Sequence, residues 1–265
     1  MNNSLIIGQY VPGDSIIHRL DPRTKISLIF CFVVIVFFAN SFWSYSLLAL
    51  FAVVSAFTTR IRLAYIIKGL TPVWFLMGFT FLLHLIMTKE GEVIFSVFSY
   101  PVYSEAVIVG TAVSLRFFLL IMVTSLLTLT TTPIEITDAI ESLLHPLKRV
   151  NFPVHELALM MSISLRFIPT LMQETEKISK AQASRGVDFR TGPLKDRIQA
   201  VVPLLVPLFV SAFKRAEDLA MAMEARGYQG GEGRTKLREL KMEVRDVYVF
   251  ILFTLVIAGV IFTRQ

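Results

Sequence analysis

A single cysteine, Cys31, is the only thiol in this 265-residue chain. Set inside an apolar run, it excludes an intramolecular disulfide and argues against a thiolate metal site. Histidine is almost as scarce. His18, His84, His145 and His155 share no ligand spacing, and the His155-Glu156 pair that would begin a zinc-protease motif has Leu159 where the second histidine belongs. No stretch reads G-x-x-x-x-G-K-[ST], so ATP hydrolysis by this chain is not expected. The opening MNNSLIIGQYVPGDS lacks the basic region and long apolar core of a secretory signal, and the first hydrophobic segment is expected to persist as a membrane helix. The apolar segments hold no Asp or Glu at mid-depth, which weighs against a proton- or sodium-driven carrier.

What the chain has in abundance is apolar surface. It is 54% hydrophobic with 22 phenylalanines and a mean hydropathy of +0.65, against about 45–50% apolar residues in a soluble domain. Crossing the hydrocarbon takes about 20 such residues. Five segments qualify: roughly 25–43, 44–59, 69–88, 105–130 and 246–263. Asp21 followed by Pro22 marks the start of the first helix, as an N-cap before a proline at the first helical position. The net charge of +6 reads as loop lysine and arginine on a membrane protein rather than as nucleic-acid binding. Arg19, Arg23 and Lys25 precede the first span and Arg60, Arg62 and Lys68 join the second to the third. The third-to-fourth loop sets Lys89 against Glu90, Glu92 and Glu105. The positive-inside rule then puts the N-terminus in the cytoplasm and Gln265 outside.

Three regions follow: a transmembrane domain over 1–130, a cytoplasmic domain over 131–245, and a last span over 246–265. Within the middle region, HELALMMSISLRFIPTLM (155–172) is interrupted by His155, Glu156, Arg166 and Pro169, and charges at mid-helix cost about 2.5–3.5 kcal/mol each. AVVPLLVPLFVSAF (200–213) is short and carries Pro203 and Pro207. Both are expected to be the apolar halves of long amphipathic helices lying along a membrane or under a partner. A shorter helix over 132–150, starting at Thr132-Pro133, precedes them. A flexible link is expected at GGEGR, 230–234.

The two long helices end alike. AQASRG (181–186) and AMEARG (222–227) each close on a small residue, an arginine and a glycine, 41 residues apart; the register also places Glu176 on Glu217. An arginine facing the helix dipole and a glycine just beyond the last turn are ordinary terminators, and one occurrence would need no other explanation. A dipole would accept lysine as readily and needs no small residue beforehand. Two helices of about 30 residues, about 45 Å each, joined only by GVDFRTGP (186–193), run antiparallel or cross. Their arginine ends then point apart, which suits a subunit gripping two similar partners. Met160, Met161, Ile168, Leu204, Leu205 and Phe209 give the apolar halves an adaptable surface. Arg116, inside the fourth span, is either functional or a snorkelling, carbonyl-capping residue.

Together HRLDPRTK (18–25), LTTTP (129–133), SLRFIP (164–169) and the two small-Arg-Gly endings resemble the transmembrane (T) component, EcfT, of energy-coupling factor (ECF) transporters, the family related to the membrane subunit of microbial cobalt uptake systems. The resemblance covers nearly the whole chain. It implies an all-α integral membrane protein of about five spans with three cytoplasmic coupling helices, two of them long and crossed. It also implies partners: two ABC-type ATPase subunits, expected as a heterodimer that holds the ATP and magnesium, and a membrane-embedded substrate-binding S-component. The ATPases would be held through Ser184, Arg185, Gly186 and Ala225, Arg226, Gly227, in a prokaryotic plasma membrane. The family motif is usually Ala-Arg-Gly, so Ser184 is a small-for-small departure. The alternatives are a self-sufficient secondary carrier and, further off, a membrane-bound enzyme, for which no cluster of polar residues stands out.

Overall fold

The computed structural model describes residues 10–62, 65, 71–97, 100–187, 194–230 and 240–263. The protein is an all-α membrane protein, with helix nearly throughout and one small hairpin among the described residues. Its helices are α1 (Pro22–Phe38), α2 (Phe42–Thr58), α3 (Thr71–Met87), α4 (Ser104–Thr130), α5 (Pro133–Leu144), α6 (Val154–Ser184), α7 (Leu194–Ala225) and α8 (Val244–Phe262). Contacts divide the chain into Met1–Ser142 with Glu239–Gln265, and Leu143–Arg238.

Local chemistry sets most boundaries. Asp21 caps α1, its Oδ1 accepting from the Arg23 N–H at 2.8 Å, with Pro22 as the first helical residue. Thr132 and Glu135 form a capping box at the start of α5: the Thr132 hydroxyl accepts from the Glu135 N–H at 3.3 Å and the Glu135 carboxylate from the Thr132 N–H at 2.9 Å. The helix expected over 132–150 stops at Leu144 and continues as a 3₁₀ turn, His145–Val150, closed by Asn151 at φ 59°. Pro146 explains the change, because it has no N–H for another α-helical bond. The third-to-fourth loop contains a strand pair, β1 (Val93–Val97) and β2 (Tyr100–Tyr103), antiparallel with Val97 opposite Tyr100. Valine, phenylalanine and tyrosine at those positions favour extended backbone.

In the first unit α4 packs against α1, α2 and α3. Phe32 and Val36 of α1, Leu48 and Ala52 of α2, Leu119 and Val123 of α4, and Phe253 and Val260 of α8 form one buried core. The rings of Phe32, Phe51 and Phe253 pack with centroids 5.0–6.3 Å apart. Gly110 lets α3 approach α4, since a Cβ there would stand 3.1 Å from the Phe81 ring and 3.3 Å from His84. By length and composition α4, α6 and α8 can cross a membrane, α6 being the least apolar of the three. The sequence reading keeps α6 out because of its charges, and adds α1, α2 and α3. Those three have 17 residues each, about 25 Å of rise, slightly less than the hydrocarbon thickness of about 30 Å.

In the second unit α6 and α7 have 31 and 32 residues. They run antiparallel. Gln182 meets Pro203, Glu174 meets Ser211 and Arg215, and Leu159 and Ile163 share a hollow with Leu219 and Met223. Most of the link between them lies outside the described residues, as does most of GGEGR.

Candidate functional site

Both long helices end in the same hydrogen-bonded knot. After α6, the Gly186 N–H donates to Ala183 O at 3.0 Å and the Val187 N–H to Gln182 O at 3.1 Å. After α7, the Gly227 N–H donates to Glu224 O at 2.9 Å and the Tyr228 N–H to Met223 O at 3.0 Å. Each partner in the second knot lies at the repeat distance from its counterpart in the first. This is the Schellman arrangement, which needs a left-handed residue just past the helix. Gly186 at φ +85° and Gly227 at φ +72° supply it, and a side chain at either would be strained. The repeat suggested by the spelling is therefore a repeat in backbone geometry.

The knots hold Arg185 and Arg226 at the helix tips with both side chains exposed. Among the described residues no carboxylate lies within ion-pair range of either guanidinium. Ser184 and Ala225, the last helical residues, are exposed too, and the Ser184 hydroxyl donates back to Lys180 O at 3.1 Å. Pro203 lies level with Gln182 beside the first tip, and the chain climbs from there to Arg226 as helix, so the tips stand about 35 Å apart. Midway between them Glu174 accepts from Arg215 Nη2 at 2.8 Å and from the Ser211 hydroxyl at 2.6 Å. Glu174 and Arg215 are themselves 41 residues apart. Equivalent positions of the repeat touch, so this pair lies on the local pseudo-twofold axis relating α6 to α7. Sequence spacing alone could have pointed to it.

The apolar residues expected to receive a partner are open on the hairpin. Met160, Met161, Leu205 and Phe209 are exposed, Phe209 at 59%, and Ile168 and Leu204 are half-buried. Arg116 has company within the first unit. Its Nη2 donates to the Tyr45 hydroxyl at 3.0 Å, and its guanidinium lies 5.3 Å from the centre of the Phe37 ring, within cation–π range. Its Nε is buried without a hydrogen-bond partner among the described residues.

A further polar cluster escaped the residue-by-residue reading, although two of its stretches were singled out. Lys25 of HRLDPRTK is buried and donates to Thr130 O at 3.0 Å, Thr131 Oγ1 at 3.2 Å and His18 O at 3.3 Å. Asp246, 3% exposed, accepts from the Asp21 N–H and the Glu243 N–H, each at 2.8 Å. The two motif stretches thus meet, and α8 is tied to them at the same end of the first unit. Among the described residues no group of three or more His, Cys, Asp or Glu side chains is placed to hold a metal.

Residues 13–237 match the family model described as CbiQ, cobalt transport protein. Along its full length the chain is similar to the energy-coupling factor transporter transmembrane protein EcfT of Bacillus subtilis (strain 168), at 59% identity over 264 residues and 100% of both chains. Its similarity to the protein of the same description from Exiguobacterium sibiricum is 53% over 248 residues, 94% of each chain. With that of Listeria innocua serovar 6a it is 49% over 262 residues, 99% of this chain and 98% of the other.

Proposed function

From the premise that this chain belongs to the CbiQ family, as a transmembrane component of an ECF transporter, we propose that it couples two ABC-type ATPase subunits to a membrane-embedded S-component during import of a vitamin or other micronutrient. The chain itself is non-catalytic; ATP and magnesium sit on the partner ATPases. Arg185 and Arg226 each engage a carboxylate in a groove of one ATPase, where the planar fork of arginine binds more directionally than an ammonium. As the ATPase dimer closes and opens, its two grooves move relative to one another. The antiparallel hairpin carries that motion to the exposed apolar face of α6 and α7, on which the S-component rides.

The observation that carries this reading is the duplicated knot, with two exposed guanidinium groups about 35 Å apart on one hairpin, neither ion-paired among the described residues. A plain helix terminator has no reason to recur at the same register with an exposed arginine each time. The proposed topology is α1–α4 and α8 as spans, with the N-terminus and residues 131–245 in the cytoplasm and the C-terminus outside. It is supported by Asp21, Thr130 and Asp246 sharing one end of the first unit, where the basic Arg19 and Arg23 also lie. α6 is proposed to stay out of the bilayer because Glu156 and Arg166 are too costly within it.

The test is assembly and uptake by R185A, R226A, the double variant and the two lysine variants. Truncating one member of a desolvated charge pair costs about 2–5 kcal/mol, so each single alanine weakens ATPase retention and substrate uptake and the double abolishes both. Lysine rescues partly. Normal assembly and uptake by R185A/R226A would defeat the proposal.

A further inference from the structure

The chain holds a third knot of the same kind. After the 3₁₀ turn His145–Val150 the Asn151 N–H donates to Lys148 O at 3.1 Å and the Phe152 N–H to Leu147 O at 3.4 Å. These are the spacings found after α6 and α7, with Asn151 at φ 59° in the place of Gly186 and Gly227. Asparagine is the usual substitute for glycine at this left-handed position. The residue held at the tip is different. Where the other two knots present Arg185 and Arg226, this one presents Val150, 82% exposed. A valine cannot grip a carboxylate, so the third tip serves another end.

Its surroundings show which. Side chains three apart eclipse in a 3₁₀ turn, so Leu147 and Val150 stand on one edge; both are exposed, as is Phe152 just beyond. Lys148 and Arg149 lie between them, exposed, with no carboxylate in ion-pair range among the described residues. From Ser142 to His155 the sequence has no Asp or Glu at all. A stable protein interface buries about 800 Å² on each partner, more than one ridge of three side chains offers. The ridge does have the size and chemistry of an interfacial anchor, in which apolar side chains enter the boundary below the headgroups and cations meet anionic lipid. Only α5, of 12 residues, lies in the chain between the end of α4 and this turn.

We propose that Leu147–Phe152 is a membrane-surface anchor that takes anionic phospholipid. Val150, with Leu147 and Phe152 beside it, enters the boundary between headgroups and acyl chains, and Lys148 and Arg149 meet the lipid phosphates. The knot fixes the backbone beforehand, so the three apolar side chains are presented together without an ordering cost at the moment of insertion. Because α6 begins at Val154, the anchor holds that end of the hairpin at the bilayer surface and leaves the arginine tips to move.

The experiment uses the full chain carrying V150C in a C31S background, labelled with a polarity-sensitive fluorophore. It is reconstituted in nanodiscs of phosphatidylcholine or of an equal mixture with phosphatidylglycerol, each with and without a lipid spin-labelled just below the headgroup. The expected result is blue-shifted emission, quenched by the spin label, in the anionic discs. Adding K148A/R149A lowers the ratio of inserted to free tip about 25-fold, about fivefold for each cation near the surface. Quenching that is absent, or equal in the two lipid mixtures, overturns the proposal. Both leaflets of a nanodisc have one composition and no ATPase is present, so this arm reads the anchor whether or not the topology and the arginine grips proposed above hold. In a second arm benzoylphenylalanine at 150 is irradiated in the full complex with ATPases and S-component. Cross-linking to phospholipid is expected, and capture of any polypeptide instead overturns the proposal.

Discussion

Lys25 and Phe209 represent two ways of building with the same kind of sequence. In the first unit the polar residues of the helix ends close on one another: Lys25, Thr130, Thr131, Asp21 and Asp246 are all buried, with hydrogen bonds running between helices far apart in sequence. Among the described residues of the second unit little is enclosed; along α6 only Val154 and Ala158 are buried, and large apolar side chains of α7 such as Phe209 and Phe213 stand in the open. The hairpin offers surface, and its stability draws on whatever covers it. Both units carry large apolar side chains outward, Phe42 and Phe262 in the first as much as Phe213 in the second; the difference lies in the enclosed polar helix ends of the first.

If that contrast is real, mutations should separate along it. The largest effect is expected at Asp246. D246A removes the acceptor for two backbone N–H groups, and each buried donor left without a partner costs about 1–3 kcal/mol. The melting temperature of the purified protein in detergent should fall sharply and membrane yield with it. A loss no greater than that of a hairpin variant would erase the distinction. Next comes Arg116. Y45F takes away its hydrogen-bond acceptor inside the first unit and should cost about 1.5–3 kcal/mol, the range for bonds to charged groups. R116M/Y45F should recover part of the loss, since neither polar partner then remains, and should still support uptake. Abolished uptake in a well-folded R116M/Y45F protein would assign a functional role to Arg116.

Smaller effects belong to the hairpin. Glu174 and Arg215 are partly exposed, with side chains at 24% and 36%, so E174Q is expected to cost about 1 kcal/mol or less. The charge-reversed pair E174R/R215E should regain some of it. A thermal shift equal to that of D246A would mean the hairpin has a core of its own. At the bottom of the scale is Glu176, whose carboxyl is held below its ordinary range by the hydrogen bond from Lys180 in full solvent. E176Q should leave melting and ATPase retention unchanged within error, and a measurable drop would mean that a partner already covers this stretch.

The parts legible in the sequence were those with local causes. Asp21-Pro22, Thr132-Pro133 and the two Arg-Gly endings each state a helix boundary within four residues, because caps are made by neighbours in the chain. The length of α6 and α7 followed from those ends. Asp246 was not legible: its partner Asp21 lies at the other end of the molecule's sequence, and an aspartate before an apolar run reads as a flank. Nor was the hairpin at 93–103, whose short apolar run lies between acidic residues and looks like any loop. Glu174 and Arg215 fall between these cases. The repeat register put them at equivalent positions, yet only antiparallel packing turns equivalence into contact.

The bond from Gln182 to Pro203 O has a consequence for how this chain can vary. In an α-helix the carbonyl of residue 203 accepts from the N–H of residue 207, and residue 207 is a proline with no N–H to give. Gln182, on the other helix, supplies the missing donor at 3.4 Å. Substituting Pro207 by a residue that has an N–H would make the glutamine dispensable, whereas losing the amide at 182 first would leave a bare carbonyl in α7. The proline and the glutamine, on separate helices, are thus coupled through one carbonyl.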